Sequence, residues 1–142
     1  METILFNHYG ISPGIKLTKE LKSFLISIFK NENTFFKSVS YVFCTDAYLL
    51  TLNQRYLNHN TYTDIITFTL SGATSAIISE IYISVERVRE NAESLKINYQ
   101  HELFRVMIHG ILHLCGYSDH TPKKKIKMRE KENHYLSLLG ST

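Results

Sequence analysis

The sequence predicts an α/β (α+β) fold, a single layered domain with a small mixed sheet of about four strands. Runs of apolar residues with a period of two, typical of strands, alternate with stretches of helical spacing in the order β-α-β-α-β-β-α-α-α. No repeat, low-complexity tract or linker divides the chain, so we expect residues 1–142 to form one domain. The helix that carries His109 and His113 is apolar on nearly every side, which predicts that it lies buried at the centre.

The first half of the chain predicts two strands and two helices. A short apolar run at residues 4–7 comes before Gly10 and Pro13 and predicts the first strand. Thr18 is a suitable N-cap for a helix that ends near Asn31, because the apolar residues that follow it recur at helical spacing. Alternation over residues 39–44 predicts a second strand, and Asp46 is expected to cap a helix over residues 47–57.

The second half begins with a polar loop at residues 58–64. Residues 65–70 and 77–84 are predicted to form two strands. Residues 71–75, which include Ala73 and Thr74, would connect these strands as a hairpin. Ser84 is expected to cap a helix that ends near Asn98 and directs Val85, Val88, Ala92 and Leu95 inward. The histidine helix follows over about residues 100–115, and Thr121 with Pro122 begins a last helix that Gly140 ends.

Composition indicates the cellular environment of the protein but says little about its binding partners. The formal net charge is only +3, and Cys44 and Cys115 lie far apart in apolar segments, as expected of reduced thiols. The N-terminus has no secretory pattern, and no apolar run approaches the length of a membrane span, so we expect a soluble, cytoplasmic protein without a membrane partner.

Positive charge is concentrated after the histidine helix. The cations of this segment are Lys123, Lys124, Lys125, Lys127, Arg129 and Lys131. A run of this kind is either a solvated helix face or a surface for the phosphates of a nucleic acid, and the sequence alone leaves both interpretations open.

His109 and His113 are the candidate metal ligands. Residues four apart on a helix point the same way, about 40° apart around the axis and about 6 Å apart along it. Gly116 can end the helix in a left-handed conformation and return the chain toward this pair, so a third donor just beyond it can complete a site. Three protein ligands with an open fourth position are typical of a catalytic zinc, which predicts one Zn²⁺ ion per chain.

These residues also carry a resemblance to a known family. Residues 109–120, HGILHLCGYSDH, resemble the signature of the YbeY family of metal-dependent endoribonucleases, and the likeness extends to LNQRY at 52–56, TDIITF at 63–68 and EIYIS at 80–84. The resemblance implies a single-strand-specific endoribonuclease in rRNA processing, in particular late 16S rRNA maturation and ribosome quality control. It also implies single-stranded RNA or rRNA, and the small ribosomal subunit, as partners.

The chain departs from the family pattern at two points. The family usually has an arginine directly after the tyrosine that corresponds to Tyr56, and this chain has Leu57. The family's third ligand lies three residues past the glycine, which here is Asp119. A bulge at Ser118 would instead deliver His120, so Asp119 and His120 are alternatives for the third ligand, and the count favours Asp119.

The predicted chemistry is metal-assisted hydrolysis of a phosphodiester. His109 would hold the ion at the reacting centre, Glu80 is a candidate general base if folding brings it near, and Lys123, Lys124, Lys125 and Lys127 would contact RNA phosphates. Tyr117 could stack on a base, although an aromatic residue beside a turn is more often packed.

Two other functions fit parts of the pattern. A zincin-like metallohydrolase acting on peptides or small molecules would share the histidine spacing, but Gly110 stands where zincins carry their glutamate base. A non-catalytic RNA-binding ribosome assembly factor would use the metal only for stability, and a fourth protein ligand would favour that function.

Overall fold

The computed structural model describes residues 1–72 and 75–140. Within these ranges the strands and helices are β1 (Thr3–Tyr9), α1 (Lys19–Asn31), β2 (Phe36–Cys44), α2 (Asp46–Leu57), β3 (Ile65–Thr69), β4 (Ile77–Ser84), α3 (Val85–Leu95), α4 (Tyr99–Leu114) and α5 (Pro122–Gly140). The predicted order of elements and the mixed α/β class are both confirmed. The predicted connection through Ala73 and Thr74 lies outside the described residues.

The four strands form one mixed sheet in the order β1-β2-β4-β3. β2 pairs in parallel with β1 and with β4, while β3 and β4 form the predicted antiparallel hairpin. β1 and β2 extend beyond the predicted runs because Thr3 already pairs with Ser38 and Tyr9 with Cys44. Hydrogen bonds between the strands therefore extend both strands beyond the apolar residues from which they were predicted.

Alternation along the strands separates two apolar clusters. Ile81 and Ile83 of β4 belong to the main core, which is built with side chains of α1, α3, α4 and α5. Tyr82 lies between them in sequence and packs on the other face, against a smaller cluster around Leu49 and Leu52 of α2. Side chains that alternate on a strand point to opposite faces, so the sheet has α2 on one side and the histidine helix on the other.

The histidine helix α4 is buried as predicted. Asn98 caps it, since its side chain accepts hydrogen bonds from the backbone N–H groups of Gln100 and His101. Eight of its residues are buried, including Glu102. Tyr41 of β2 donates a hydrogen bond of 2.7 Å to the carbonyl of Met107, which fixes the helix to the sheet at a buried point.

Three details of the helices differ from prediction. Thr45, rather than Asp46, caps α2, because the Thr45 side chain accepts from the Tyr48 N–H while Asp46 begins the helix and pairs with Arg87 at 2.8 Å. Leu95 is 59% exposed rather than directed inward, since it is the last residue of α3 and the chain turns away at Lys96. α3 accordingly ends before Asn98, which serves the next helix.

Among the described helices, none is long and apolar enough to cross a membrane. Cys44 and Cys115 are free thiols, as expected, and burial raises the pKa of Cys44 to about 12 and that of Cys115 to about 11. Both thiols are therefore protonated and unreactive at neutral pH.

Candidate metal centre

His109 and His113 lie side by side on α4. Their ring centroids are 4.5 Å apart and the rings are nearly perpendicular. Their side chains are 15% and 30% exposed, so both rings lie at the edge of the core with one side open. The spacing of four residues therefore gives the shared direction that the sequence predicted.

The turn after α4 returns the chain to this pair. Gly116 has φ +103°, a backbone conformation that residues other than glycine rarely adopt. The Tyr117 N–H donates a hydrogen bond of 3.0 Å to the carbonyl of Leu112. Asp119 follows with its Oδ2 atom 3.6 Å from His109 Nε2 and 3.8 Å from His113 Nε2. One ligand atom from each of the three residues lies within 4.8 Å of the others.

His120 is not part of this group. Its side chain is exposed, and its backbone N–H donates to the Ser118 hydroxyl at 3.2 Å. The extra residue at Ser118 thus turns Asp119 toward the histidines and leaves His120 at the surface, so the geometry favours Asp119 of the two alternatives.

The hydrogen-bond partners of the two Nδ1 atoms indicate whether the imidazoles can bind a metal. His109 Nδ1 lies 2.5 Å from a carboxylate oxygen of Glu132, and His113 Nδ1 lies 2.9 Å from the carbonyl oxygen of Tyr117. Both partners are acceptors, so each Nδ1 carries the proton and each Nε2 directs a lone pair at Asp119. Burial lowers the pKa of His113 and favours the neutral ring that binds metals. The donor set fits a divalent ion of the zinc type.

A buried charge network supports His109. The side chains of Glu132 and Glu102 are 2% and 1% exposed, and Arg105 lies between them. Arg105 donates two hydrogen bonds to Glu102, at 2.8 and 2.7 Å, and one to Glu132 at 3.0 Å. Burial opposes the charged form of Glu132, but the bonds from His109 and the charge of Arg105 prevail, and its pKa lies below its ordinary value. Glu132 is therefore an ionised carboxylate that accepts from His109.

Glu132 was not among the residues predicted from the sequence, although a signal was present. It falls on the same face of α5 as Met128, Tyr135 and Leu136, all of them buried. A glutamate on the apolar face of an amphipathic helix needs a buried partner, so this spacing marks a residue with a polar role inside the fold.

A second network supports His113 through Tyr117. The Tyr117 hydroxyl donates to Glu32 at 2.7 Å, and Glu32 also accepts from Tyr135 and, at 3.3 Å, from Lys131. Burial raises the pKa of Glu32, but these hydrogen bonds outweigh burial and lower it overall. Tyr117 is therefore packed and bonded at both ends, which favours a structural role over the predicted stacking on a base.

Glu80 lies on the wrong face of the sheet for the predicted catalytic role. It precedes Ile81 on β4, so its side chain points to the α2 side, where it accepts a hydrogen bond from Tyr82 at 3.2 Å. Ile81 points to the histidine helix instead. The alternation of the strand therefore separates Glu80 from His109, and the structure does not bring this candidate base to the site.

Gly110 also faces the sheet. A Cβ atom at this position would lie 3.0 Å from Ile81 Cδ1 and 3.1 Å from Ile65 Cδ1. The glycine permits close approach of helix and sheet, and a longer side chain here would point into the core rather than toward the histidines.

Two cavities meet at the candidate metal centre. A cavity of about 320 Å³ is lined by His109 and a groove of about 660 Å³ by His113, and Asp119 and Ile65 line both. Leu57 lines the groove, so the position at which the family usually has arginine does face the site.

The structure divides the predicted cationic cluster among different faces of α5. Lys125 lines the cavity together with Arg129, while Lys131 binds Glu32. Lys123, Lys124 and Lys127 are exposed and line neither the cavity nor the groove. Their contact with RNA stays a prediction.

Comparison with known proteins identifies the family. A family model described as Endoribonuclease YbeY matches residues 12–140. The chain belongs to the endoribonuclease YbeY family. The chain is 45% identical over 135 residues to the endoribonuclease YbeY of Flavobacterium psychrophilum, with 95% of each protein covered. It is 42% identical over 137 residues to that of Cytophaga hutchinsonii, with 96% of each covered.

A solved structure supports the same fold. The solution structure of a Thermotoga maritima protein superposes with a TM-score of 0.68 at 32% identity, covering 94% of this chain and 87% of that one. The YbeY resemblance read from the histidine motif is thus confirmed.

Proposed function

We propose that this protein is a zinc-dependent endoribonuclease that cuts single-stranded rRNA at the centre formed by His109, His113 and Asp119. Membership of the endoribonuclease YbeY family gives the broader activity, cleavage within RNA chains in rRNA processing. The zinc ion, the preference for single strands and late maturation of 16S rRNA at the small ribosomal subunit belong to the proposal. So does a cytoplasmic location.

One observation carries the proposal. Two Nε2 atoms and one carboxylate oxygen face a common point, and no fourth Asp, Glu, His or Cys joins the group in residues 1–72 and 75–140. A site with three protein ligands leaves one position for water or substrate, which is typical of catalytic zinc and argues against a metal that only stabilises the fold. The surroundings of Gly110 argue against the zincin-like alternative, because a base at that position would face Ile81.

The residues of the chain would hold the site in a reactive arrangement. Glu132 and the Tyr117 carbonyl fix the tautomer and the orientation of the two imidazoles, so that both Nε2 atoms face the ion without reorganisation. When bound, zinc would activate water for attack on a phosphodiester and stabilise charge on the phosphoryl oxygens. Asp119 would add a carboxylate ligand to the two imidazoles.

Purified protein and labelled RNA test this function. We expect cleavage of single-stranded RNA, little cleavage of the duplex, loss of activity with a chelator and recovery with Zn²⁺. Elemental analysis should give about one zinc per chain, and the His109→Ala, His113→Ala double variant should lose it. Full metal content in the double variant would locate the metal elsewhere, and metal-bound protein that leaves RNA intact would favour the assembly-factor alternative.

A further inference from the structure

The candidate metal centre lies where the cavity and the groove meet, so an RNA strand bound there must continue in two directions. His109 opens into the cavity, His113 opens into the groove, and Asp119 belongs to the lining of both. An RNA strand whose phosphodiester lies at the three ligands would therefore extend into both spaces. The two spaces differ in charge, and this difference determines what each can bind.

The cavity carries two cations that the fold does not fully pair. Lys125 and Arg129 are four residues apart on α5 and line the cavity together. Lys125 forms no ion pair with any residue in 1–72 or 75–140, and Arg129 makes only a long ion pair of 3.7 Å, from Nε to Glu132. Arg105 at the same cavity is different, because Glu102 and Glu132 already hold its guanidinium.

Each carboxylate of the cavity has a closer partner than Lys125 or Arg129. Glu132 lies 3.0 Å from Arg105 and accepts a hydrogen bond from His109 at 2.5 Å, and Asp119 would be matched by the ion that it binds. Asp64 also lines the cavity, and its carboxylate accepts a hydrogen bond of 3.4 Å from the Asn91 amide. With an ion bound to Asp119, a further anion in the cavity would therefore meet Lys125 and Arg129 as the cations that remain available.

The groove has no comparable charge. Among the described residues, no lysine or arginine lines it, and its surface consists of threonines, histidines and uncharged polar or apolar side chains together with the shared Asp119. Such a surface suits the base and ribose of a nucleotide better than a second phosphate.

We infer that the cavity bounded by Lys125 and Arg129 binds the phosphate next to the one that is cut. This subsite rests on the proposed function, since it requires RNA at the metal centre. It assigns separate roles within the cationic cluster, because Lys125 and Arg129 contact a specific phosphate while Lys123 and Lys127 contribute only general attraction. The subsite also makes the two sides of the cut unequal, with one neighbouring phosphate in the cavity and the other outside it.

Two variants of equal charge separate local contact from general attraction. Lys125→Gln with Arg129→Gln removes both cations of the cavity, and Lys123→Gln with Lys127→Gln removes two exposed cations from the same helix. Binding of a labelled single-stranded oligoribonucleotide is measured over a series of salt concentrations. Cleavage of the same RNA is measured on zinc-loaded protein, with an uncharged methylphosphonate placed on either side of the mapped cut.

The expected result is a difference between the pairs. The cavity pair should weaken binding several-fold more than the control pair, and its salt slope should fall by about 0.7 for each phosphate that the protein no longer neutralises. A methylphosphonate on one side of the cut should slow the wild-type protein about as much as the cavity pair does, and should slow the cavity pair little further. A methylphosphonate on the other side should have a smaller effect.

Other results would overturn the inference in recognisable ways. Equal losses of affinity in the two pairs, with cleavage intact in the wild type, would reject the subsite and leave the proposed function standing. Losses from the methylphosphonate that add fully to those of the cavity pair would reject binding of that phosphate in the cavity. RNA that is neither bound nor cut by the wild-type protein would reject the function and the subsite together.

Discussion

Glu132→Gln tests whether the buried network of α5 determines the affinity of the metal centre. Glu132 accepts from His109 Nδ1 at 2.5 Å and from Arg105 at 3.0 Å, and its side chain is 2% exposed. Glutamine has the same shape, but its amide offers one acceptor oxygen and one donor nitrogen. Since both neighbours are donors, the variant leaves one of them facing an N–H group.

The expected magnitude follows from these hydrogen bonds. One lost hydrogen bond to a charged group costs about 1.5–3 kcal/mol. Arg105 keeps both of its bonds to Glu102, so the loss should stay below the roughly 3–5 kcal/mol of a fully unpaired buried charge. We expect the free energy of unfolding to fall by about 2 kcal/mol. His109 loses the partner that orients its ring, so zinc affinity should fall by about 10-fold to 100-fold.

Two measurements separate these effects. Competition with a chromophoric chelator gives the zinc affinity of the folded protein, and denaturant unfolding of metal-free protein gives its stability. Glu130→Gln is the matched control, because Glu130 lies on the same helix but is exposed. If Glu132→Gln binds zinc as tightly as Glu130→Gln, then Glu132 does not orient the ligand and the reasoning from the Nδ1 hydrogen bonds is wrong.

The third ligand, the helix glycine and the Glu32 network can each be tested by a single substitution. Asp119→Ala should lose zinc affinity by a large factor while His120→Ala keeps it, as measured by chelator competition, and the reverse result would make His120 the third ligand. Gly110→Ala should destabilise the protein by about 1 kcal/mol in thermal or denaturant unfolding, because distances of 3.0–3.2 Å to the new Cβ atom outweigh the gain of about 1 kcal/mol in helix propensity, and a more stable variant would contradict this. Glu32→Gln should reduce stability at neutral pH. Because the folded pKa of Glu32 is lowered, its contribution is present above the pKa of the unfolded chain and is lost as the pH falls through the folded value, so the wild type and the variant should converge in acid, and a constant difference would refute the assignment.

The spacing of residues within single helices and strands was sufficient to predict much of the fold. Apolar patterns, together with cap and turn residues, located all nine of the described helices and strands, and the two residues assigned wrongly within them lie at the ends of helices. Asp46 was taken for a cap that Thr45 provides, and Leu95 was placed in the core although α3 ends there. At the end of a helix, a shift of one residue decides whether a side chain caps the helix or belongs to its first turn. The local propensities of two adjacent residues for these positions differ by little.

Local sequence is enough to specify the pair of histidines and the turn that follows them. Helical spacing fixes the shared direction of His109 and His113, and Gly116 permits the left-handed turn, since both are properties of the local backbone. The count that favoured Asp119 came from the family resemblance, which places the third ligand three residues past the glycine. These features need no partner from elsewhere in the chain.

What surrounds that pair depends on the packing of distant elements. Glu132 lies 23 residues beyond His109, and Glu32 lies 85 residues before Tyr117, so no local pattern joins them. Glu80 lies away from His109 because pairing with β2 and β3 fixed which face of the sheet it points to. Spacing sets the direction of a side chain relative to its own helix or strand, whereas a contact between elements depends on how their buried faces pack.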